Sequence, residues 1–181
     1  LFFVATFGLC KALANLGAGW LAERRGRRAT LIAGWLLALP VPVLIVTATS
    51  WSWSVAANAL LGVSQGLTWS MTVLMKIDLV GPTRRGLAMG LNEFAGYVAV
   101  SLASLGSGIA ATAWGLRAGP AYVGMLIAAL GLLLSVLFVR DTTGHVRLEQ
   151  AMTSGSASPP PRMGAVLRRS LWSDPGLFST S

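Results

Sequence analysis

Two ionisable residues, Lys11 and Glu93, stand inside long apolar stretches of the sequence. A charge at the centre of a bilayer costs about 2.5–3.5 kcal/mol on insertion scales, so a residue of this kind faces a cavity or a partner. A lysine at that depth could attract an anionic group of a solute, and a glutamate could carry a coupling proton or cation. A buried ion pair between them, or separate extension of each side chain to the membrane surface, stays open as the alternative.

Polar residues near these two recur at steps of three and four, a spacing that places them on one face of a helix. The faces consist of Gly8, Lys11, Asn15 and Gly19; of Asn58, Gly62, Gln65, Gly66 and Trp69; and of Glu93, Tyr97, Ser101, Ser104 and Gly108. We expect these faces to line one polar cavity, in which Gly62 and Gly66 serve close helix packing. The candidate residues for contact with a solute or a coupling ion are Lys11, Asn15, Asn58, Gln65, Glu93 and Tyr97.

These residues need elements that hold them at membrane depth, and a spanning helix takes about 20 apolar residues. Five stretches qualify, at about 1–22, 29–48, 53–75, 86–113 and 119–139. The chain is 54% hydrophobic and 11% charged, whereas a soluble domain carries about 25% charge. Because backbone groups in lipid must be satisfied within their own segment, the stretches are predicted to be helices of an all-α membrane bundle.

The basic residues alternate between the ends of these stretches. Four arginines follow the first stretch, 49–52 is uncharged, and Lys76, Arg84 and Arg85 follow the third stretch. Only Arg117 separates the last two stretches, and five arginines follow the fifth. Basic loops stay in the cytoplasm, so we expect a multi-pass protein of the plasma (inner) membrane with cytoplasmic basic loops. The first stretch would then run inward, so a cytoplasmic N-terminus would require one further helix before Leu1.

Composition also bears on the classes of ligand. Net charge is +8, but the basic residues stand in blocks between apolar stretches, which argues against a nucleic-acid interface. The single cysteine, Cys10, and the single histidine, His145, form no metal-binding pattern, so no metal or other cofactor is expected. The partners expected are the lipid bilayer and a small-molecule solute, with a coupling proton or cation.

The loop after the first stretch combines one acid with four arginines. Its pattern, G-x-x-x-[DE]-R-x-G-R-R, resembles the loop between the second and third helices of the major facilitator superfamily of secondary transporters. In that family the acid and the arginines form a cytoplasmic latch that breaks when the transporter opens inward. The resemblance implies this gate role for Gly19, Glu23, Arg24, Gly26, Arg27 and Arg28.

The resemblance covers about residues 1–150 and implies an N-terminal half of which the second to sixth helices are visible. We expect 1–141 to be this transmembrane half, 142–175 a central cytoplasmic loop with a Ser/Pro linker, and 176–181 the start of the second half. The first helix and the C-terminal six-helix half would then be missing partners. The implied mechanism is alternating access of two halves around a midplane site, without enzymatic chemistry.

Two other classes of function remain as alternatives. A non-transporting membrane scaffold or receptor would not need charge inside its spans. A membrane-embedded enzyme would need a nucleophile, base or metal cluster at one depth, for which only Lys11 and Glu93 are available. For residues 163–172, a helix lying on the membrane surface and a solvated basic loop are equally open.

Overall fold

The computed structural model describes residues 2–80, 84–142 and 144, and every regular element in that part of the chain is helical. The helices in chain order are α1 (Phe2–Arg25), α2 (Arg27–Ala38), α3 (Pro40–Thr47), α4 (Trp51–Val80), α5 (Arg85–Trp114) and α6 (Ala118–Phe138). The predicted all-α bundle is therefore confirmed. Apart from Thr142 and Gly144, the predicted loop 142–175 lies outside the described residues, together with 163–172 and 176–181.

Proline divides the second predicted span into α2 and α3. Pro40 has no N–H, so it cannot continue the hydrogen-bond ladder of α2, but its fixed φ suits the first turn of a new helix. Leu39 between the two helices keeps helical angles, with φ −55° and ψ −46°. The chain therefore continues across the break, and the two helices together form one membrane-length segment, Arg27–Thr47.

Among the described residues, four segments are long and apolar enough to cross a membrane: α1, α2 with α3, α5 and α6. The 30-residue helix α4 is not among them, because polar residues such as Asn58 and Gln65 interrupt its apolar sequence. It is instead the most internally packed helix, with buried Ala57, Leu67 and Met71. In contrast, α1 and α5 expose most of their large apolar side chains, as lipid-facing helices do.

Two glycines let α4 approach α1 closely. A β-carbon added at Gly66 would lie 2.6 Å from Cβ of Ala14 and 2.8 Å from the carbonyl oxygen of Lys11. One added at Gly62 would lie 2.5 Å from the carbonyl oxygen of Phe7. Small residues at steps of four permit this backbone-to-backbone contact between membrane helices. The structure therefore places both glycines in helix packing.

The buried apolar core lies between α1, α2 and α4, toward the end where α1 turns into α2. Its members are Ala18, Ala22, Leu31, Leu67, Met71 and Met75, and the ring of Trp35 packs against it. Trp35 also lies against Gly131 of α6, where a β-carbon would come within 2.5 Å of the ring. This contact joins α6 to the core through α2.

The opposite end of the bundle is held by one arginine. Arg117, just before α6, donates from Nε and Nη2 to the carbonyl oxygen of Ile45 at 3.1 and 3.0 Å, and from Nη2 to that of Ala48. These carbonyls belong to the C-terminal end of α3, which has no further turn to satisfy them. A cation there also complements the helix dipole. Arg117 therefore fastens the α5–α6 connection to α3.

Candidate functional site

A tight turn at Gly26 separates α1 from α2 and places residues 23–28 at one end of the bundle. Gly26 has a φ of +87°, which side-chain-bearing residues adopt only with strain. Its N–H donates to the carbonyl oxygen of Ala22 at 2.9 Å, and its own carbonyl oxygen accepts from Thr30 Oγ1 at 2.8 Å. A β-carbon at this position would also collide with the carboxylate of Asp141. Both the backbone angle and the available space therefore require glycine.

Arg27, the first residue of α2, joins this turn to the end of α4. Its Nη1 forms an ion pair with Oδ2 of Asp78 and lies 3.4 Å from Oγ1 of Thr142. The Thr142 hydroxyl donates to the same carboxylate oxygen at 2.9 Å. The side chains of Arg27 and Asp78 are only 17% and 10% exposed, so solvent and salt screen their attraction less than they would a surface pair.

Arg28 joins the turn to the end of α6. Its Nη2 donates to the carbonyl oxygen of Val136 at 2.7 Å. Val136 lies in the last turn of α6, where a cation complements the negative end of the helix dipole. The turn, the end of α4 and the end of α6 thus meet in one place. We call this set, Gly26, Arg27, Arg28, Asp78 and Thr142, the charged-end cluster.

The remaining predicted gate residues lie outside the charged-end cluster. Glu23 and Arg24 are exposed on the last turn of α1, and the Arg24 guanidinium stands 4.0 Å from the ring centroid of Trp20. A β-carbon at Gly19 would meet no atom of the described residues within 4 Å. Within the described part of the chain, no hydrogen bond or ion pair joins the side chains of Glu23 and Arg24 to another helix.

A second polar set lies midway along the bundle, between α1 and α4. Lys11 Nζ donates to Oε1 of Gln65 at 2.9 Å and stands 5.8 Å from the ring centroids of both Phe7 and Trp69. Ser70 Oγ donates to Oδ1 of Asn15 at 3.0 Å, one turn farther along. We call Lys11, Gln65, Asn15 and Ser70 the mid-depth polar layer. It contains three of the six residues predicted to contact a solute or an ion.

Asn58, the fourth of these residues, is buried on α4 and donates from Nδ2 to the carbonyl oxygen of Ser54 at 2.9 Å. The amide NH₂ group of Asn58 thus donates within its own helix. A polar side chain that bonds back to the preceding turn is common in apolar helices, because it satisfies the donor without another helix. The contact indicates a local structural role for Asn58.

Glu93 and Tyr97, the remaining two, are exposed on α5. Glu93 Oε1 accepts from Nδ2 of Asn92 at 3.5 Å, and Oδ1 of Asn92 accepts from Lys76 Nζ at 2.5 Å. In the described part of the chain, no ion pair joins Glu93 to Lys11. Lys11 donates instead to Gln65, and the single cavity shared by three helix faces stays a prediction.

Gln65 borders two cavities of about 550 Å³ each. One lies between α2, α3, α4 and α6, and Arg117 is among the residues that line it. The other lies between α4, α5 and α6, and its apolar lining is formed by Ala99, Val100, Leu102, Ala103, Val123 and Ile127. Gln65 is the one predicted solute-contacting residue that lines either of them. The Gln65 side chain therefore contacts Lys11 and also borders apolar space.

Sequence reasoning missed Asp78 and Thr142. Lys76 was assigned to a basic loop, so the acid two residues later, which lies in the last turn of α4, received no role. A signal was available, because Asp78 is one of only six acidic residues in the chain and stands next to a predicted span. Thr142 gave no such signal, since nothing in its sequence context distinguishes it from the following linker.

Comparison with known proteins adds one match. The family model described as Major Facilitator Superfamily matches residues 2–180 of this chain. No curated protein matches the chain. The matched range includes both the charged-end cluster and the mid-depth polar layer, so both sets of contacts belong to the part that the family describes.

Proposed function

The chain belongs to the major facilitator superfamily, and from that membership we propose that it moves a small solute across the membrane by alternating access. Members of this family are multi-pass integral membrane transporters, not enzymes, and the apolar helices of this chain fit that class. The solute would bind in the mid-depth polar layer, while the charged turn closes one side. We further propose that the charged end faces the cytoplasm of a plasma (inner) membrane.

The observation that carries the proposal is that the chain has both a charged-end cluster and, midway along the bundle, the mid-depth polar layer. Lys11 lies about 21 Å of helix rise from the end of α1, and Gln65 about 20 Å from Asp78. A solute held there would be separated from the charged end by half the bundle. The buried Arg27–Asp78 pair is favourable only while α2 and α4 keep their positions, so its rupture can accompany opening.

Glu93 supports the choice of a coupled transporter over a passive one. A carboxylate that carries a proton or cation must exchange it with solvent. Asp78 forms an ion pair with Arg27, whereas Glu93 is exposed, and among the described residues its one side-chain hydrogen bond is from the Asn92 amide. We therefore assign the coupling site to Glu93 and the solute site to the mid-depth polar layer.

The experiment that tests alternating access does not need a known solute. The full-length protein, with Cys10→Ser, is placed in sealed vesicles of known orientation and carries Asn15→Cys. A small charged maleimide is added from one side at a time. We expect Asn15→Cys to be labelled from both sides, because a midplane site opens to each side in turn.

Two further cysteine variants serve as controls for this labelling experiment. Leu13→Cys stands on the exposed apolar surface of α1 and is expected to resist the charged reagent from either side, since lipid covers it. Ser50→Cys, in the short loop before α4, is expected to react from one side only. Labelling of Asn15→Cys from a single side would contradict alternating access and favour the receptor or scaffold.

A further inference from the structure

We propose that the mid-depth polar layer is a binding site for an organic anion, with Lys11 as the residue that holds its negative group. The assignment rests on the proposed transport function and gives it a substrate class. The solute would carry one carboxylate or a similar monovalent anionic group on an apolar body. The recognition comes from one ammonium group, the amide of Gln65 and the ring of Trp69.

No carboxylate pairs with Lys11 among the described residues. Within residues 2–80 and 84–142, its ammonium group contacts only the Gln65 carbonyl oxygen and the faces of two aromatic rings. A neutral amide and ring quadrupoles compensate a positive charge only in part. A charge at bilayer depth without a carboxylate costs several kcal/mol, and an anionic ligand would offset that cost.

Lys11 and Gln65 both keep hydrogen-bond donors that have no acceptor among the described residues. Lys11 has three N–H groups, of which one donates to Gln65 in the described structure. The Gln65 side chain accepts this bond through Oε1, and its NH₂ group has no acceptor among the described residues. Two sets of free donors on neighbouring side chains suit the two oxygens of a carboxylate. A cationic solute would find the ammonium group repulsive.

Apolar space lies beside these donors. Trp69 is 39% exposed, and its ring lies against Gly96 of α5, where an added β-carbon would be 3.2 Å from Cη2. Gln65 also lines the apolar cavity of about 550 Å³ between α4, α5 and α6. Ligand sites commonly have this volume and combine an apolar wall with a few converging polar groups. The site therefore favours an anion with an apolar body over a small inorganic anion.

The test compares three ring compounds of similar shape: sodium benzoate, neutral benzamide and cationic benzamidine. Each is titrated into the full-length protein in detergent at constant ionic strength, and the shift in Tm is recorded. We expect benzoate to raise Tm and the other two to leave it unchanged. In Lys11→Met the apparent affinity for benzoate should fall about 10- to 100-fold, the range for loss of a hydrogen bond to a charged group.

Matched variants separate binding from folding. Lys11→Arg keeps the charge and should keep the benzoate response. Lys76→Met removes the other lysine of the chain, whose partner is Asn92, and should also keep it. Gln65→Glu supplies Lys11 with an internal carboxylate, so it should raise the resting Tm and abolish the response to benzoate. This variant tests the site even where Lys11→Met folds poorly.

The outcomes are distinct. No response to benzoate, an equal response to benzamide or benzamidine, or an unchanged response in Lys11→Met would overturn the anion site. Binding of benzoate that depends on Lys11 would uphold it, whether or not Asn15→Cys is reached from both sides. Labelling of Asn15→Cys from one side only would overturn transport and leave an anion receptor.

Discussion

Leucine in place of Gly66 is expected to push α1 away from α4 and to lower the stability of the protein sharply. Even an added β-carbon would meet Cβ of Ala14 at 2.6 Å and the Lys11 carbonyl oxygen at 2.8 Å, and one of these atoms is backbone. Overpacking of this kind costs about 3 kcal/mol or more where the neighbour cannot yield. We expect Tm in detergent to fall by roughly 6–12 °C, with a smaller fall for Gly66→Ala.

Gly17→Leu is the matched control for this experiment. It lies on α1, it also exchanges glycine for leucine within a helix, and a β-carbon there meets no described atom within 4 Å. Leucine is the better helix former, so this variant should be neutral or more stable by up to about 1 kcal/mol. Equal Tm values for Gly66→Leu and Gly17→Leu would contradict the close α1–α4 contact.

Replacing Asp78 by asparagine is expected to destabilise the end of the bundle where α2, α4 and α6 meet. The change removes the Asp78 carboxylate from the Arg27 guanidinium, whose side chain is only 17% exposed and which keeps a favourable electrostatic interaction with Asp141. Removing one partner of a buried ion pair costs about 3–5 kcal/mol, and partial exposure together with Asp141 places this pair at the lower end, about 3 kcal/mol. Urea unfolding of Asp78→Asn in detergent measures the loss.

A double-mutant cycle isolates the pair from the rest of the charged-end cluster. The variants are Asp78→Asn, Arg27→Gln and the two combined, and the interaction energy is expected to lie between about 1.5 and 3 kcal/mol. Arg25→Gln is the control, since Arg25 is exposed and a surface change of this kind stays within about 0.5 kcal/mol. Strictly additive losses in the cycle would show that Arg27 and Asp78 do not act as a pair.

The helices were predictable because a single physical rule determines them. In lipid a run of about 20 apolar residues has to satisfy its own backbone, so length and composition are enough. The break at Pro40 was not predicted, since 29–48 was expected to form one helix, but it has a simple cause: proline lacks the N–H that would continue the hydrogen-bond ladder. Helix α4 shows the limit of the rule. Its polar residues weaken the apolar pattern, yet the helix runs to Val80 and packs against α1 and α2.

The contacts of the polar residues were less predictable. Helical spacing placed Lys11 and Asn15 on one face, but spacing does not say which helix that face meets. Lys11 finds Gln65 rather than Glu93 because Gly62 and Gly66 bring α4 against α1. Whether Lys11 meets Gln65 or Glu93 therefore depends on glycine packing between segments that are distant in the chain. A single sequence does not show which of these segments pack together.

The charged loop illustrates a third case. Gly26, Arg27 and Arg28 were singled out from their spacing, and the structure places all three in the charged-end cluster. The two partners of Arg27, Asp78 and Thr142, stand 51 and 115 residues from it in the chain. Contacts at such separations depend on the order in which helices pack. The motif therefore included three residues of the charged-end cluster but did not indicate that they contact α4 and α6.

The most direct test of the whole account is the sidedness of the two ends of the bundle in intact cells. Ser50→Cys and Gly144→Cys, each in a Cys10→Ser background, are treated with a maleimide that cannot cross the membrane. We expect Ser50→Cys to react at once, whereas Gly144→Cys, two residues after Thr142 of the charged-end cluster, should react only after the cells are permeabilised. Labelling of both cysteines in sealed cells would contradict this sidedness.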